Sequence, residues 1–225
     1  MNIEPIAYFK SPLKEKFGVP RQSGIATRLH GRIVMQNEWN DPECLRGLED
    51  FDYLWILWGF SANADATKHT TVRPPRLGGN RRMGVFATRS SFRPNNLGMS
   101  SVKIVSISNS PGCQVEIEVS GADLMDGTPI YDVKPYLPEF DSHPEARGGF
   151  ASSEKWTTLD VEIPEDIRIQ LGETRSQLVE QLLSEDPRPH YHDNPEREYG
   201  MTVDEYDIKF KVIENTVKVT NVHLL

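Results

Sequence analysis

Short runs in which apolar and polar residues alternate, each cut off by Gly, Pro, Asn or Asp, set the tightest limit on what this 225-residue chain can fold into. Ile3 to Phe9, Ile25 to Met35, Ser100 to Ser108 and Gln114 to Ser120 carry the pattern. A two-residue period fits a strand with one buried face, and the closing residues supply the turns. Gly31 inside the second run predicts a bulge or bend. Pro111 and Gly112 between the last two runs predict a hairpin. Tyr53 to Phe60 is almost wholly apolar and suits a strand buried on both faces, with Trp55 and Trp58 in the core rather than stacked on a base. Asp41 and Pro42 mark the start of a short helix. No β-α-β alternation is visible, so these close-spaced strands predict an antiparallel barrel or sandwich.

The pattern changes further along. Residues 120–138 read as a polar turn around Asp126 and Gly127. Glu139 to Ser153, with Pro144, Gly148 and Gly149, reads as a mobile linker. Then Thr157, Leu159, Val161 and Ile163 alternate as a strand. Pro164 opens a helical stretch that Gly172 interrupts, and Leu178, Val179, Leu182 and Leu183 mark one face of a second helix. Tyr206 to Ile213 and Val217 to Leu224 flank a turn as a terminal hairpin. The expected organisation is an N-terminal unit over 1–140, a linker over 141–155 and a small α+β unit over 156–225. The last is too slight to be stable without docking on the first.

Charge is distributed unevenly. The chain has 25 Lys and Arg against 33 Asp and Glu, a formal net charge of −8. From Ala66 to Val115 it carries no acid, while Lys68, Arg73, Arg76, Arg81, Arg82, Arg89, Arg93 and Lys103 are all positive. Unmixed positive charge inside an acidic protein points to a local anion-facing surface. Guanidinium groups are well shaped for phosphate and for stacking on bases. The N-terminal sequence lacks an apolar run of secretory length, and no window reaches the length of a membrane span. Cys44 and Cys113 form no C-x-x-C pair. A cytoplasmic protein, not membrane-bound, is expected.

Several familiar sites are excluded. H-E-x-x-H, G-x-S-x-G and the Walker motif are absent, and Gly78, Gly79 and Gly84 do not form a dinucleotide fingerprint. His190, His192 and Asp193 read as a surface loop, and no metal site is expected. Asp123, Asp126 and Asp132, followed by Lys134 and Tyr136, admit a metal, a general-base or a turn-capping reading. A carboxylate there also suits the ammonium or ribose hydroxyls of an adenosyl-amino-acid ligand.

The strings "RPPRLGGNRRMGVFATRSSFRPNNLGMSSVK" and "DLMDGTPIYDVKPYLP", with "PRQSG" upstream and "DPRPHY" downstream, resemble the β-barrel tRNA methyltransferases that act on N6-threonylcarbamoyladenosine beside the anticodon. The resemblance runs through nearly the whole chain. It implies a mainly β protein: an antiparallel β-barrel domain that binds S-adenosylmethionine without a Rossmann fold, a small C-terminal domain, and a homodimer. It further implies that Gln22, Ser23, Gly24, Ser61, Arg89, Met99, Asp123 and Leu124 hold the cofactor. Arg73, Arg76, Arg81, Arg82 and Arg93 would face the anticodon loop of tRNA. Asp126, Lys134 and Tyr136 are the candidates for handling the N6 proton. The chain departs from the family in carrying Asn96 where Pro is usual, Ser91 where Pro often precedes the loop's Phe, and Ser61 where many members have His. The rival expectation is a non-catalytic RNA-binding module that uses the same arginines.

Overall fold

The structure, a computed structural model, describes residues 2–63, 67–74, 81–110, 112–153, 157–188 and 194–225. The N-terminal part contains β1 (Ala7–Lys10), β2 (His30–Met35), β3 (Tyr53–Gly59), a short ribbon of β4 (Thr71–Val72) and β5 (Met83–Gly84), then β6 (Leu97–Ser108), β7 (Glu116–Ser120) and β8 (Pro129–Pro135). Strands β1, β2, β7, β6, β3 and β8 close into a barrel in that order, with β8 returning to β1 and every neighbour antiparallel. Closure removes the exposed edges that an open sheet of this size would carry. The interior is filled by alternate side chains, among them Ala7, Phe9, Ile33, Leu54, Ile56, Val102, Ile117, Val119 and Ile130.

Downstream lie the short helices α1 (Pro138–Asp141) and α2 (Phe150–Ser153), then β9 (Asp160–Glu162), α3 (Glu165–Leu171), α4 (Glu173–Ser184), β10 (Tyr199–Val203), β11 (Tyr206–Ile213) and β12 (Thr216–Leu224). The last three strands form an antiparallel meander, and β9 adds to β12 in parallel. A second core beneath this sheet joins Leu178, Val179, Leu182 and Leu183 of α4 to Met201, Ile208 and Phe210. It also takes in Leu13, Ala26 and Leu29 from the segment between β1 and β2. The chain therefore leaves the barrel after β1, contributes to the C-terminal core, and returns as β2.

Several expectations change. Residues 25–29 lie outside β2, because Ala26 and Leu29 are spent on the C-terminal core. Gly31 makes no bulge: its pairing with Val119 of β7 runs without a register shift, and a Cβ there would stand 2.3 Å from the Phe9 ring, so the glycine makes room for that ring. Strand β3 is not buried on both faces. Leu54, Ile56 and Trp58 point inward, while Tyr53, Trp55 and Leu57 face outward and are only half-covered, so Trp55 is not core. The polar turn before Pro129 is present, but its C-terminal half is β8, whose mixture of polar outward residues and Pro termini hid the strand that closes the barrel. The linker contains α1 and α2. Strand β10, unread in the sequence, sits against β11. The Asp41–Pro42 start holds, as a 3₁₀ turn in which Asp41 accepts from the Glu43 amide.

Candidate functional site

At one end of the barrel, β3 stops, β6 begins and the chain passes from β7 to β8. A cavity of about 850 Å³ opens there, walled by the ends of β3 and β6, the 123–128 turn, the 88–95 loop and the 16–22 segment. Leu57, Phe60 and Leu124 supply apolar wall, with Gln22, Thr88, Arg89 and Asp123 as polar groups. A mostly apolar cavity with a few convergent polar groups suits a small organic ligand.

The carboxylate, in the turn after β7, is held from two strands. Trp58 Nε1 donates to Ser100 Oγ at 3.0 Å, and Ser100 Oγ donates to Asp123 Oδ1 at 2.5 Å. An indole nitrogen can only donate, so it fixes the serine hydroxyl proton on the aspartate side. The indole lies where it does because residue 98 has no side chain: a Cβ on Gly98 would meet Trp58 Cε2 at 2.4 Å. Burial pushes the Asp123 carboxyl above its usual range, opposed by the hydrogen bonds from Ser100 and the backbone and by the Arg89 charge. Asp123 nevertheless keeps part of its surface open to the cavity.

The wall beside Asp123 is held from both units. Gly24 N donates to Gly121 O at 2.8 Å, fastening the 22–24 turn to the residues before Asp123. Arg89 donates to Gln22 Oε1 at 2.7 Å, closing the wall against the basic loop. Behind it, Arg21 donates to Asp186 O at 2.7 Å and Arg188 O at 3.3 Å, both just after α4. Phe17 and Val19 pack on the C-terminal core. A segment that faces the cavity on one side is thus anchored on the C-terminal unit by the other.

Part of the acid-free stretch, within residues 86–99, lines the cavity. The β4–β5 ribbon presents Arg73, Arg81 and Arg82 to solvent, with Arg82 donating to Thr71 Oγ1 at 3.0 Å. After β5 a 3₁₀ turn, Val85 to Ala87, buries Val85 and leaves Phe86 78% exposed at the cavity edge. Arg93 donates to Thr88 O at 3.0 Å and Ser90 O at 3.4 Å, so part of its guanidinium ties down its own loop. Asn96 adopts φ +50°, which a proline ring does not allow, and its carbonyl accepts from Phe60 N at 2.8 Å. The Asn in place of the family's usual Pro therefore sets its own local backbone here.

Of the residues expected to hold a cofactor, Gln22, Ser61, Arg89, Met99, Asp123 and Leu124 line this one cavity, and Ser23 and Gly24 follow directly on Gln22. The proton-handling candidates lie elsewhere. Asp126 accepts from Ser11 N at 3.1 Å and caps the turn before β8. Lys134 pairs with Asp132 at 3.1 Å on the barrel's outside, and Tyr136 packs on Tyr53 and Trp55. Arg76, His190, His192 and Asp193 lie outside the described residues. The sequence reading missed Ser100, Arg21 and Phe86. For Ser100 a signal existed: it shares the inward-facing parity of Val102 in β6, where a polar side chain needs a partner.

The chain matches two domain families end to end: the tRNA-methyltransferase O N-terminal domain over residues 8–142, and the TrmO C-terminal domain over 157–224. It is 37% identical to the tRNA (adenine(37)-N6)-methyltransferase of Escherichia coli K12 over 94% of this chain and 93% of that one. It is 45% identical to the protein of that name from Eikenella corrodens, over 72% of this chain and 91% of the other. A crystal structure of TrmO from P. aeruginosa superposes with a TM-score of 0.80 at 30% identity, covering 100% of this chain and 97% of that one. With both domain families matched and a solved member superposing along its full length, the chain belongs to the tRNA-methyltransferase O family.

Proposed function

We propose that this protein transfers a methyl group from S-adenosylmethionine to N6 of threonylcarbamoyladenosine in the anticodon loop of tRNA. The observation that carries the reading is the meeting of two surfaces at Arg89. The residue lines a cavity of small-molecule size and belongs to the acid-free, arginine-rich stretch, which supplies part of the cavity lining. A donor site and a polyanion surface in contact are what methyl transfer to RNA requires.

The cavity residues fit the cofactor. Asp123, half-buried among fixed hydrogen bonds, suits a cationic or hydroxyl-bearing ligand, and Arg89 with Gln22 suits a carboxylate. Leu57, Phe60, Met99 and Leu124 offer apolar contact for an adenine. S-adenosylmethionine supplies the methyl group as a sulfonium. The ureido nitrogen that accepts it is a weak nucleophile with a delocalised lone pair, so the protein's main task is alignment. The 22–24 turn and the Ser100–Asp123 pair hold one side, and the 88–95 loop brings the nucleotide from the other. Asp126, Lys134 and Tyr136 do not reach the cavity of their own chain, and among the described lining residues Asp123 is the carboxylate.

In this reading the barrel, 1–140, carries the chemistry, 141–155 connects, and 156–225 braces the cofactor wall. The reading extends to a homodimer. Its support is an outward aromatic patch where α1 follows β8 beside β3, in which Tyr53 is 43% and Phe140 72% exposed. Among the described residues no helix is long and apolar enough to cross a membrane. The cytoplasm, where tRNA resides, is the proposed location.

The test is nucleoside mass spectrometry of threonylcarbamoylated tRNA incubated with protein and S-adenosylmethionine. A methylated threonylcarbamoyladenosine supports the reading. No such product, with no cofactor binding by calorimetry, leaves an RNA-binding module in its place.

A further inference from the structure

Phe86 is at odds with the fold around it. Its neighbour Val85 is buried, and the turn that carries both is secured on each side. Val85 N donates to Thr70 O at 2.9 Å, Thr88 N donates to Val85 O at 3.1 Å, and Thr88 Oγ1 donates to the same carbonyl at 2.8 Å. The loop beyond is held by Arg93 on the Thr88 and Ser90 carbonyls. The phenyl ring is therefore set on a firmly tied turn, yet left 78% open at the edge of the cavity. An aromatic ring that contributes so little to the core is available for contact from outside.

Its surroundings narrow the partner. Arg81, Arg82 and Arg89 lie on the same acid-free stretch, within a few residues of the ring along the chain, and all three are exposed. Cations that bind phosphate, next to a flat apolar face, are the combination that holds single-stranded nucleic acid: charge follows the backbone and the ring stacks on a base. A base whose N6 must enter the cavity has to leave the stack of its neighbours, and it loses their faces in doing so. A ring fixed at the mouth replaces one of them.

We propose that Phe86 is the stacking platform for the unstacked purine presented to the cavity, and so a substrate-positioning residue distinct from the cofactor contacts. This rests on the reading of the site as a tRNA methyltransferase. The ring does not react. It fixes the plane of the base, while the arginines fix the backbone.

The test uses full-length protein, threonylcarbamoylated tRNA and S-adenosylmethionine, with Phe86→Ala, Phe86→Leu, Phe86→Tyr and Phe86→Trp. Loss of a base stack by alanine substitution corresponds to roughly 10- to 100-fold, the scale of such contacts in single-stranded complexes. Phe86→Ala and Phe86→Leu are expected to lose that much in kcat/KM for tRNA. Phe86→Tyr and Phe86→Trp should stay within about threefold of wild type, because stacking on a π-face tolerates a change of ring. Calorimetric affinity for S-adenosylmethionine and the mass in solution should stay unchanged in all four. An equal loss in cofactor affinity would assign the ring to the cofactor and overturn the proposal. So would a Phe86→Leu variant as active as wild type, a change of oligomeric mass, or an unaltered Phe86→Ala. If wild-type protein transfers no methyl group, the functional reading itself fails. The same variants are then compared in equilibrium binding of the anticodon stem-loop, where unchanged affinity overturns the proposal and an aromatic-dependent loss sustains it.

Discussion

Ser100 Oγ lies 2.5 Å from Asp123 Oδ1 and takes the Trp58 indole N–H on its other side, so the cavity's carboxylate is oriented from inside the barrel. Burial raises the Asp123 pKa, and the Ser100 hydrogen bond lowers it. Ser100→Ala removes a lowering influence, so the carboxyl should hold its proton to a higher pH. Since the ionised form is the one that pairs with a cationic ligand, the acid limb of the S-adenosylmethionine affinity profile should move to higher pH. Calorimetry across pH checks the sign, and a limb that stays in place or moves down removes Ser100 from this role.

Asp123→Asn separates binding from stability. A group whose folded pKa is raised binds more protons folded than unfolded, so it favours the fold below its unfolded pKa and loses that contribution as pH rises through its folded pKa. At neutral pH the charged carboxylate therefore costs stability that a neutral amide does not. Asp123→Asn should melt at or above the wild-type temperature at pH 7 while binding S-adenosylmethionine more weakly by about tenfold or more, the scale of one lost charged hydrogen bond. A lower melting temperature with intact cofactor binding contradicts this assignment.

Arg21→Ala tests the brace between the two units. The guanidinium reaches the carbonyls of Asp186 and Arg188 from a segment whose next residue, Gln22, accepts from Arg89 in the cavity wall. Charged hydrogen bonds of this kind contribute about 1.5–3 kcal/mol. Loosening the wall should weaken S-adenosylmethionine binding without removing Asp123 from its place. Cofactor affinity and circular dichroism together check it, and unchanged affinity would make the anchor purely structural.

What the sequence made legible follows from what periodicity can report. The terminal hairpin, the β6–β7 pair and the two helices around Gly172 appear near the expected places, because alternation or a 3.6-residue period is clear in each. The return of the 11–29 segment to the C-terminal core was not legible: Leu13, Ala26 and Leu29 are isolated apolar residues in a polar stretch, and no local pattern says which core they enter. Strand β8 was hidden by its outward Asp132 and Lys134. The shared cavity of Gln22, Arg89 and Asp123 joins residues far apart in the chain, and only the family resemblance pointed to it. Composition did mark the basic stretch, since charge asymmetry needs no fold to be seen.

RNA binding should depend on salt through the exposed cations of the acid-free stretch. If about four of Lys68, Arg73, Arg81, Arg82 and their neighbours contact phosphates, affinity should fall along a log-log slope of roughly −3 for single-stranded loop RNA. The double variant Arg81→Ala, Arg82→Ala should flatten that slope by roughly 1 to 1.5. A slope that is flat in the wild type, or the same in both proteins, places the RNA elsewhere.

The most direct measurement is methyl transfer to one tRNA prepared with and without the threonylcarbamoyl group on the target adenosine. The group brings a carboxylate and a hydrogen-bonding arm that a guanidinium at the rim can grip in bidentate fashion. Sites built around a polar substrate group reject analogues lacking it by factors that reach about 10⁴. The predicted result is a product one methyl heavier from the modified tRNA, and a rate on the unmodified tRNA lower by at least about a hundredfold. Comparable rates on both would mean that the arginines read only the backbone, and would contradict threonylcarbamoyladenosine as the substrate.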